Sequence, residues 1–290
     1  MKNKGLIRKT KVICNNDKKY VYKSRIKSKE KTFEYLKSKG FVNYLTYERE
    51  TEKYEIYPFI KEVEIPPEDK AQELIYLLSL LHIKTTTHQE TNIKETQELY
   101  EDSKTKIHEL RKFYYELQDI TETKVFMSPE EQLLMNNISN FYKALNYAEH
   151  KLEEWYKLKK QEITERLTQL HNNISLNHFL ISKENKVIID WEQASKGIVI
   201  YDFLKFYQNE FNNIEMISLF KLYQSKYQYT KSEQLLFEAL LAVPPKVEFN
   251  KTHILNTINT RLAVNYVNKT SQFLSEYNKE NQESNEQKLE

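Results

Sequence analysis

Residues 171–203 read HNNISLNHFLISKENKVIIDWEQASKGIVIYDF, and this stretch decides the fold. It has the pattern of a β-hairpin. His171 and Asn173 stand just before a first apolar run, a polar turn comes next, and Asp190 and Glu192 close a second apolar run. Paired strands end side by side, so polar groups at two neighbouring strand ends can converge on one ligand. The chain before the hairpin reads as a scaffold leading up to a site, and the chain after it as a helical cover.

The chain of 290 residues is long enough for one large domain or for two lobes around a cleft. It can bury a full core without disulfides or metals. The single cysteine, Cys14, cannot form an internal disulfide, which points to a reducing compartment. No stretch is apolar enough to span a bilayer, and the basic N-terminus lacks the apolar run of a signal peptide. A cytoplasmic protein with no transmembrane segment is therefore expected. Net charge is only +2, yet residues 1–40 carry fourteen Lys/Arg against three acids. Such a patch suits nucleotide phosphates, an anionic lipid surface or nucleic acid. A composition rich in Lys, Asn and Tyr explains it equally as a solvated face, and no nucleic-acid partner is expected. Phosphate-cradling loops need glycine for positive φ and close backbone approach. Three glycines in the whole chain exclude Walker-type and dinucleotide-type loops.

In order along the chain, Thr10–Cys14 and Tyr20–Lys23 alternate as two strands around a turn at Asn15-Asn16-Asp17. A helix is expected from about Ser28 to Ser38, with Gly40 ending it. Phe41–Tyr47 and Lys53–Ile60 read as a second strand pair, and Pro58 marks the exit from the sheet. After Pro66-Pro67 the stripe Ala71, Leu74, Ile75, Leu78, Leu81 predicts a helix over about 68–82. Residues 84–94 read as a Thr-rich loop. From Ile93 to Leu170 the pattern is helical almost throughout, with a break at 119–126 and a capping box at Ser128-Pro129-Glu130-Glu131. Beyond the hairpin, helices are expected over 201–212, 214–223, from the capping box at Thr230, and over about 252–277. Residues 278–290 are polar and read as disordered. The division is a strand lobe at 1–60, a helical lobe at 61–277 and a tail.

A small strand lobe, an apolar exit with proline, and a helical lobe holding one polar hairpin is the order of a kinase-like fold. The residues carry the resemblance further. The hallmark H-G-D-x-x-x-x-N, then I-D-[WFY]-[ED], then D-[LF] is echoed by His171-Asn172-Asn173 with His178, by Ile189-Asp190-Trp191-Glu192, and by Tyr201-Asp202-Phe203. Weaker echoes are Tyr20-Val21-Tyr22-Lys23 and Leu78-Ser79-Leu80-Leu81-His82. Over about residues 10–275 the chain resembles the aminoglycoside phosphotransferase and choline-kinase-like superfamily, in a branch similar to the spore-coat-associated kinase-like proteins. The fold this implies is α+β and two-lobed: a small antiparallel N-terminal sheet with one helix, and a large, mostly helical C-terminal lobe.

The resemblance also implies cofactors, ATP and Mg²⁺, and roles for individual residues. Lys23 would neutralise nucleotide phosphates, with Glu30 as its helix partner and Glu34 as the second choice. Asp190 would hold Mg²⁺, and Glu192 would add an oxygen. His171 would brace the loop, with action as a base as the alternative, and Asp202 would cap the helix after it. Two of the hallmark letters that carry chemistry are changed. The catalytic aspartate falls on Asn173, whose amide cannot take a proton; general bases contribute about 10²–10⁴-fold. The metal-binding asparagine falls on His178, and imidazole suits transition metals better than magnesium. Three functions are expected on these grounds. The first is a degenerate pseudokinase that binds nucleotide or serves as a scaffold for a protein partner not named by the sequence. The others are a divergent ATP-dependent phosphotransferase acting on a small hydroxylated substrate, and a structural component of a cell-surface or spore-coat assembly.

Overall fold

A computed structural model describes residues 10–15, 18–25 and 29–286. The N-terminal part is a four-stranded antiparallel sheet in the order β1-β2-β4-β3, from β1 (Lys11–Asn15), β2 (Lys18–Ser24), β3 (Arg49–Glu50) and β4 (Tyr54–Pro58). Helix α1 (Glu30–Ser38) packs Phe33 and Leu36 inward, and Gly40, at φ +70°, turns the chain out of it. Asn16 and Asp17, in the turn expected between the first two strands, lie outside the described residues. The expected strand at Phe41–Tyr47 is not a strand of this sheet. It runs extended and makes one parallel bridge, Tyr44 to Ile188, because Phe41 and Tyr44, three apart, turn together toward Trp191.

The C-terminal part begins with α2 (Pro67–Thr85), whose apolar stripe is buried. The Thr-rich loop expected next is strand β5 (Thr87–Glu90), and the end of the region read as helical is strand β6 (Thr164–Leu170). With β9 (Ser195–Gly197) they form an antiparallel sheet, β5-β6-β9. Between β5 and β6 lie α3 (Ile93–Glu122), α4 (Pro129–Met135) and α5 (Ile138–Lys159). The capping box at Ser128 opens α4, with Pro129 at the first helical position. The hairpin forms as the alternation predicts, β7 (Phe179–Ile181) against β8 (Lys186–Ile188). Four helices complete the described residues: α6 (Ile200–Glu210), α7 (Met216–Lys226), α8 (Lys231–Ala242) and α9 (His253–Glu286). The capping box at Thr230 opens α8. Helix α9 continues through residues 278–286, which composition marked as disordered.

One continuous core holds the two parts together. Trp191, 2% exposed, is ringed edge-on by Phe33, Phe41 and Tyr44 from the N-terminal side and by His171 from the loop below. The Trp191 indole N–H donates to the Ile188 carbonyl at 2.8 Å, so the ring that joins the parts is itself tied to the hairpin. Main-chain bonds from Ile188 to Asn43 and from Val63 to Ile181 fasten the same junction.

Candidate active site

The loop between β6 and β7 is framed through its main chain. The Asp202 carboxylate, fully buried on α6, accepts the backbone N–H of His171 at 2.8 Å and of Asn172 at 2.7 Å. Asp202 therefore lies inside the first turn of α6 and braces the loop, where a cap for its own helix was expected. His82, which had no expected role, is also fully buried. Its Nε2 lies 3.1 Å from Asp202 Oδ2 and its Nδ1 2.7 Å from the Tyr223 hydroxyl. With Nε2–H given to the carboxylate, Nδ1 accepts the tyrosine proton, and burial holds Tyr223 protonated by pushing its pKa well up.

His171 braces the loop from the other side. Its Nε2–H donates to the Ile189 carbonyl at 2.8 Å, and Nδ1 accepts the Asn173 backbone N–H at 3.2 Å. Both nitrogens are committed, and burial lowers the pKa, with Asp202 opposing, so the ring is neutral and has no lone pair for a base. Asn172 sits at φ +60°, a conformation that asparagine tolerates better than most residues, where the hallmark has glycine. Its amide reaches Gln193 O and Ser195 Oγ, tying the loop to the segment after Asp190. Asn173 stands at the loop head, half-buried, and is held through its main chain, the N–H by His171 Nδ1 and the carbonyl by His178 Nδ1.

The second strand end is organised by side chains instead. Asp190 adopts φ +70°, a left-handed turn that costs an L-residue about 1–2 kcal/mol. Lys23 on β2 reaches across the cleft, contacts Asp190 Oδ1, and lies 2.5 Å from Glu192 Oε1. Lys29, at the start of α1, is 2.6 Å from Glu55 Oε2 and 3.2 Å from Glu192 Oε1, and it meets the Tyr57 hydroxyl at 2.8 Å. Glu55 faces Lys23 in the β2–β4 register, and Tyr57 donates to it at 2.7 Å. Two cations thus meet three carboxylates. Burial alone would raise the Glu192 carboxyl, but the bond and charge of Lys23, then Lys29, carry it down to about 2. The expected partner of Lys23, Glu30, is exposed and accepts from Tyr47 at 3.0 Å, so that pairing is corrected: the acid comes from the hairpin, and the helix supplies a cation.

The three expected metal ligands come together, with most of their polar atoms already engaged. His178 Nδ1 donates to the Asn173 carbonyl at 2.6 Å, and its Nε2 lies 3.4 Å from Asp190 Oδ2. Mg²⁺ wants near-octahedral oxygen at about 2.0–2.1 Å. Two groups suit it: Asp190, and the buried Glu192 Oε2, which has no hydrogen-bond partner. Against them, the Lys23 ammonium lies between the carboxylates, and His178 offers nitrogen where oxygen is needed. Among the described residues no group of three or more His, Cys, Asp or Glu side chains could hold a metal ion. These residues do not fit a resident Mg²⁺, and no step is routed through one.

Lys29, Glu55, Tyr57 and His82 are the site residues that sequence reasoning missed. Only His82 carried a signal, its place at the end of the Leu78–Leu81 stripe. Lys29 is one cation in a lysine-rich segment, and its partner Glu192 lies 163 positions away.

Comparisons with known proteins agree with this fold. Residues 106–233 match the family model described as "Phosphotransferase enzyme family". No curated protein matches the chain by sequence. Among solved structures, an aminoglycoside phosphotransferase from Alicyclobacillus acidocaldarius subsp. acidocaldarius DSM 446 superposes with a TM-score of 0.70 at 14% identity, over 95% of this chain and 92% of that one. A spectinomycin phosphotransferase solved with ADP and spectinomycin gives 0.56 at 12% identity, over 94% and 91%. A microcompartment-associated aminopropanol kinase gives 0.52 at 12%, also over 94% and 91%. The chain has the two-lobed kinase-like fold of the aminoglycoside phosphotransferases, and its residues 106–233 carry the sequence match to that phosphotransferase family.

Proposed function

We propose that this chain is a kinase-fold protein that holds a nucleotide in its cleft without efficient phosphoryl transfer. The observation that carries this reading is an intact loop frame with an amide at its head: Asp202 and His171 position Asn173, and Asn173 cannot accept a proton. Lys23 and Lys29 supply positive charge for the phosphates of ATP. Both lysines stand against three carboxylates, Asp190, Glu192 and Glu55, so the phosphates must draw them out of these ion pairs. The cleft then works as a ligand-stabilised scaffold. The finer proposal, a place in the spore-coat-associated branch with a protein partner, rests on the same feature, since an assembly component needs the fold and not the turnover. The lobe division at residue 60 and the roles of Lys23, Asp190, Glu192 and His178 belong to this proposal.

A second reading, a divergent phosphotransferase for a small hydroxylated substrate, is favoured by Lys23 and Asp190 meeting in one cleft below a framed loop. Phosphoryl transfer rests mainly on positioning and charge neutralisation, so the missing base slows it without forbidding it. Thermal unfolding with ATP in EDTA, then in Mg²⁺ or Mn²⁺, alongside a nucleotide-turnover assay, separates the readings. Ligand that binds only the folded chain raises the melting temperature. A rise in melting temperature without turnover is the expected result. Metal-dependent turnover gives the phosphotransferase, and no shift under any condition leaves the structural component.

A further inference from the structure

A slot of about 400 Å³ stays open between α5, the end of α8 and the second half of α9. Side chains bridge α5 and α9 at two points along it. At one, the Asn140 amide donates to Asn268 Oδ1 at 3.3 Å; at the other, the Asn278 amide donates to the Tyr147 hydroxyl at 2.9 Å. Asn268 and Asn278 are ten positions apart, so at about 1.5 Å per residue the bridges stand about 15 Å apart along α9. Between them the floor is apolar, with Ala144 and the buried Ala242, Val267 and Leu274. The short side chains at 144 and 242 leave the space. Its size falls in the range of small-molecule sites, about 300–1,000 Å³.

The polar groups around the slot select the ligand. None of the side chains that line it is an aspartate or glutamate, and Lys143 is the one that carries a charge. Lys143, Ser271 and Ser275 are exposed and stand at the mouth. Glu238, 3% exposed, lies behind Tyr147; it accepts the tyrosine hydroxyl at 2.6 Å and faces Lys151 at 3.5 Å. Glu276 lines a different hollow with Tyr207 and Phe273, where α9 faces α6. An amine in the slot would therefore meet Lys143 with no lining acid to receive it. A sugar would bring hydroxyls to a floor that offers them nothing. We propose that the slot binds a small amphipathic acid, its apolar body along Ala144, Ala242, Val267 and Leu274 and its carboxylate at the mouth with Lys143, Ser271 and Ser275. None of the residues of the kinase-like cleft lines it, so the two sites are separate.

Isothermal titration of the full chain with octanoate, and with octylammonium as the probe of opposite charge, tests this. Octanoate is expected to bind, and octylammonium about tenfold more weakly, since one meets an attraction at Lys143 and the other a repulsion. Ser271→Phe, from the mouth, and Ala144→Phe, from the floor, each fill the slot and lower octanoate binding at least about tenfold by excluding its apolar body. Lys143→Gln lowers octanoate binding about three- to fivefold and leaves octylammonium no weaker. Ser271 and Lys143 are exposed, so unchanged melting temperatures establish that these two variants fold. No octanoate binding overturns the inference. Binding that ignores Ser271→Phe places the acid elsewhere and overturns it as well, and so does octylammonium binding as tightly as octanoate. The titration contains no nucleotide, so its outcome is independent of the cleft.

Discussion

The head of the loop and the strand end facing it are held by opposite means. At the loop, one buried carboxylate grips main-chain amides, and His82, itself bonded to Tyr223, holds that carboxylate in turn. The side chain at position 173 takes no part. At the strand end, Asp190 and Glu192 are held through their own carboxylates by Lys23, with Lys29 completing the group. A frame built on main chain tolerates a change of the side chain it presents. A frame built on charge pairs consumes the groups it presents. On the reading proposed above, the loop presents an amide on a firm frame, and the strand end presents carboxylates that are already engaged in ion pairs.

The contrast breaks most readily at Asp202. Asp202→Ala orphans two backbone N–H groups and His82 in a dry interior, and should cost about 3–5 kcal/mol in chemical denaturation. A loss under about 1 kcal/mol would mean that the loop is framed by something else.

The strand end gives the next effect. A carboxyl held at about 2 in the folded chain against an ordinary 4.5 contributes on the order of 3 kcal/mol at neutral pH. Between those two values the unfolded chain binds the proton and the folded chain does not. The stabilisation is thus complete above about pH 4.5 and is lost as pH falls toward about 2. Glu192→Gln should flatten denaturation midpoints over that window, and parallel slopes in parent and variant would contradict the charge-pair account.

The smallest effect is expected at Asn173. Asn173→Asp should leave stability within about 0.5 kcal/mol, because the frame does not use that side chain. Turnover should stay absent while Lys23 occupies the opposing carboxylates. A gain of about 10² or more, the lower end of what a general base supplies, would show that the strand end is available after all.

Much of this was legible in the chain, and the exceptions share a cause. The hairpin, both capping boxes and the β1–β2 pair arise from local periodicity and cap chemistry, which act within a few residues. Strand β6 was hidden because Leu167 and Leu170, three apart, prolong the helical stripe before it, and its pairing with β5 and β9 is a property of the sheet. Strand β5, Thr-His-Gln-Glu, has no apolar alternation to read. In the site, the resemblance marked Lys23, Asp190 and Glu192, but the identity of their partners depended on contacts spanning more than a hundred positions. The same distance hid His82, whose partners Asp202 and Tyr223 come from helices far along the chain.

Trp191 has a use beyond packing. It is one of two tryptophans in the chain; the other, Trp155, is buried on α5. The Trp191 ring lies where both lobes meet, beside the loop-bracing His171, with ring centroids 4.7 Å apart. A Trp155→Phe chain would carry a single indole at the junction of the two parts, beside the loop that His171 braces. Its emission would then report on the packing of that junction, turning the residue that joins the parts into an optical gauge of whether a bound ligand disturbs it.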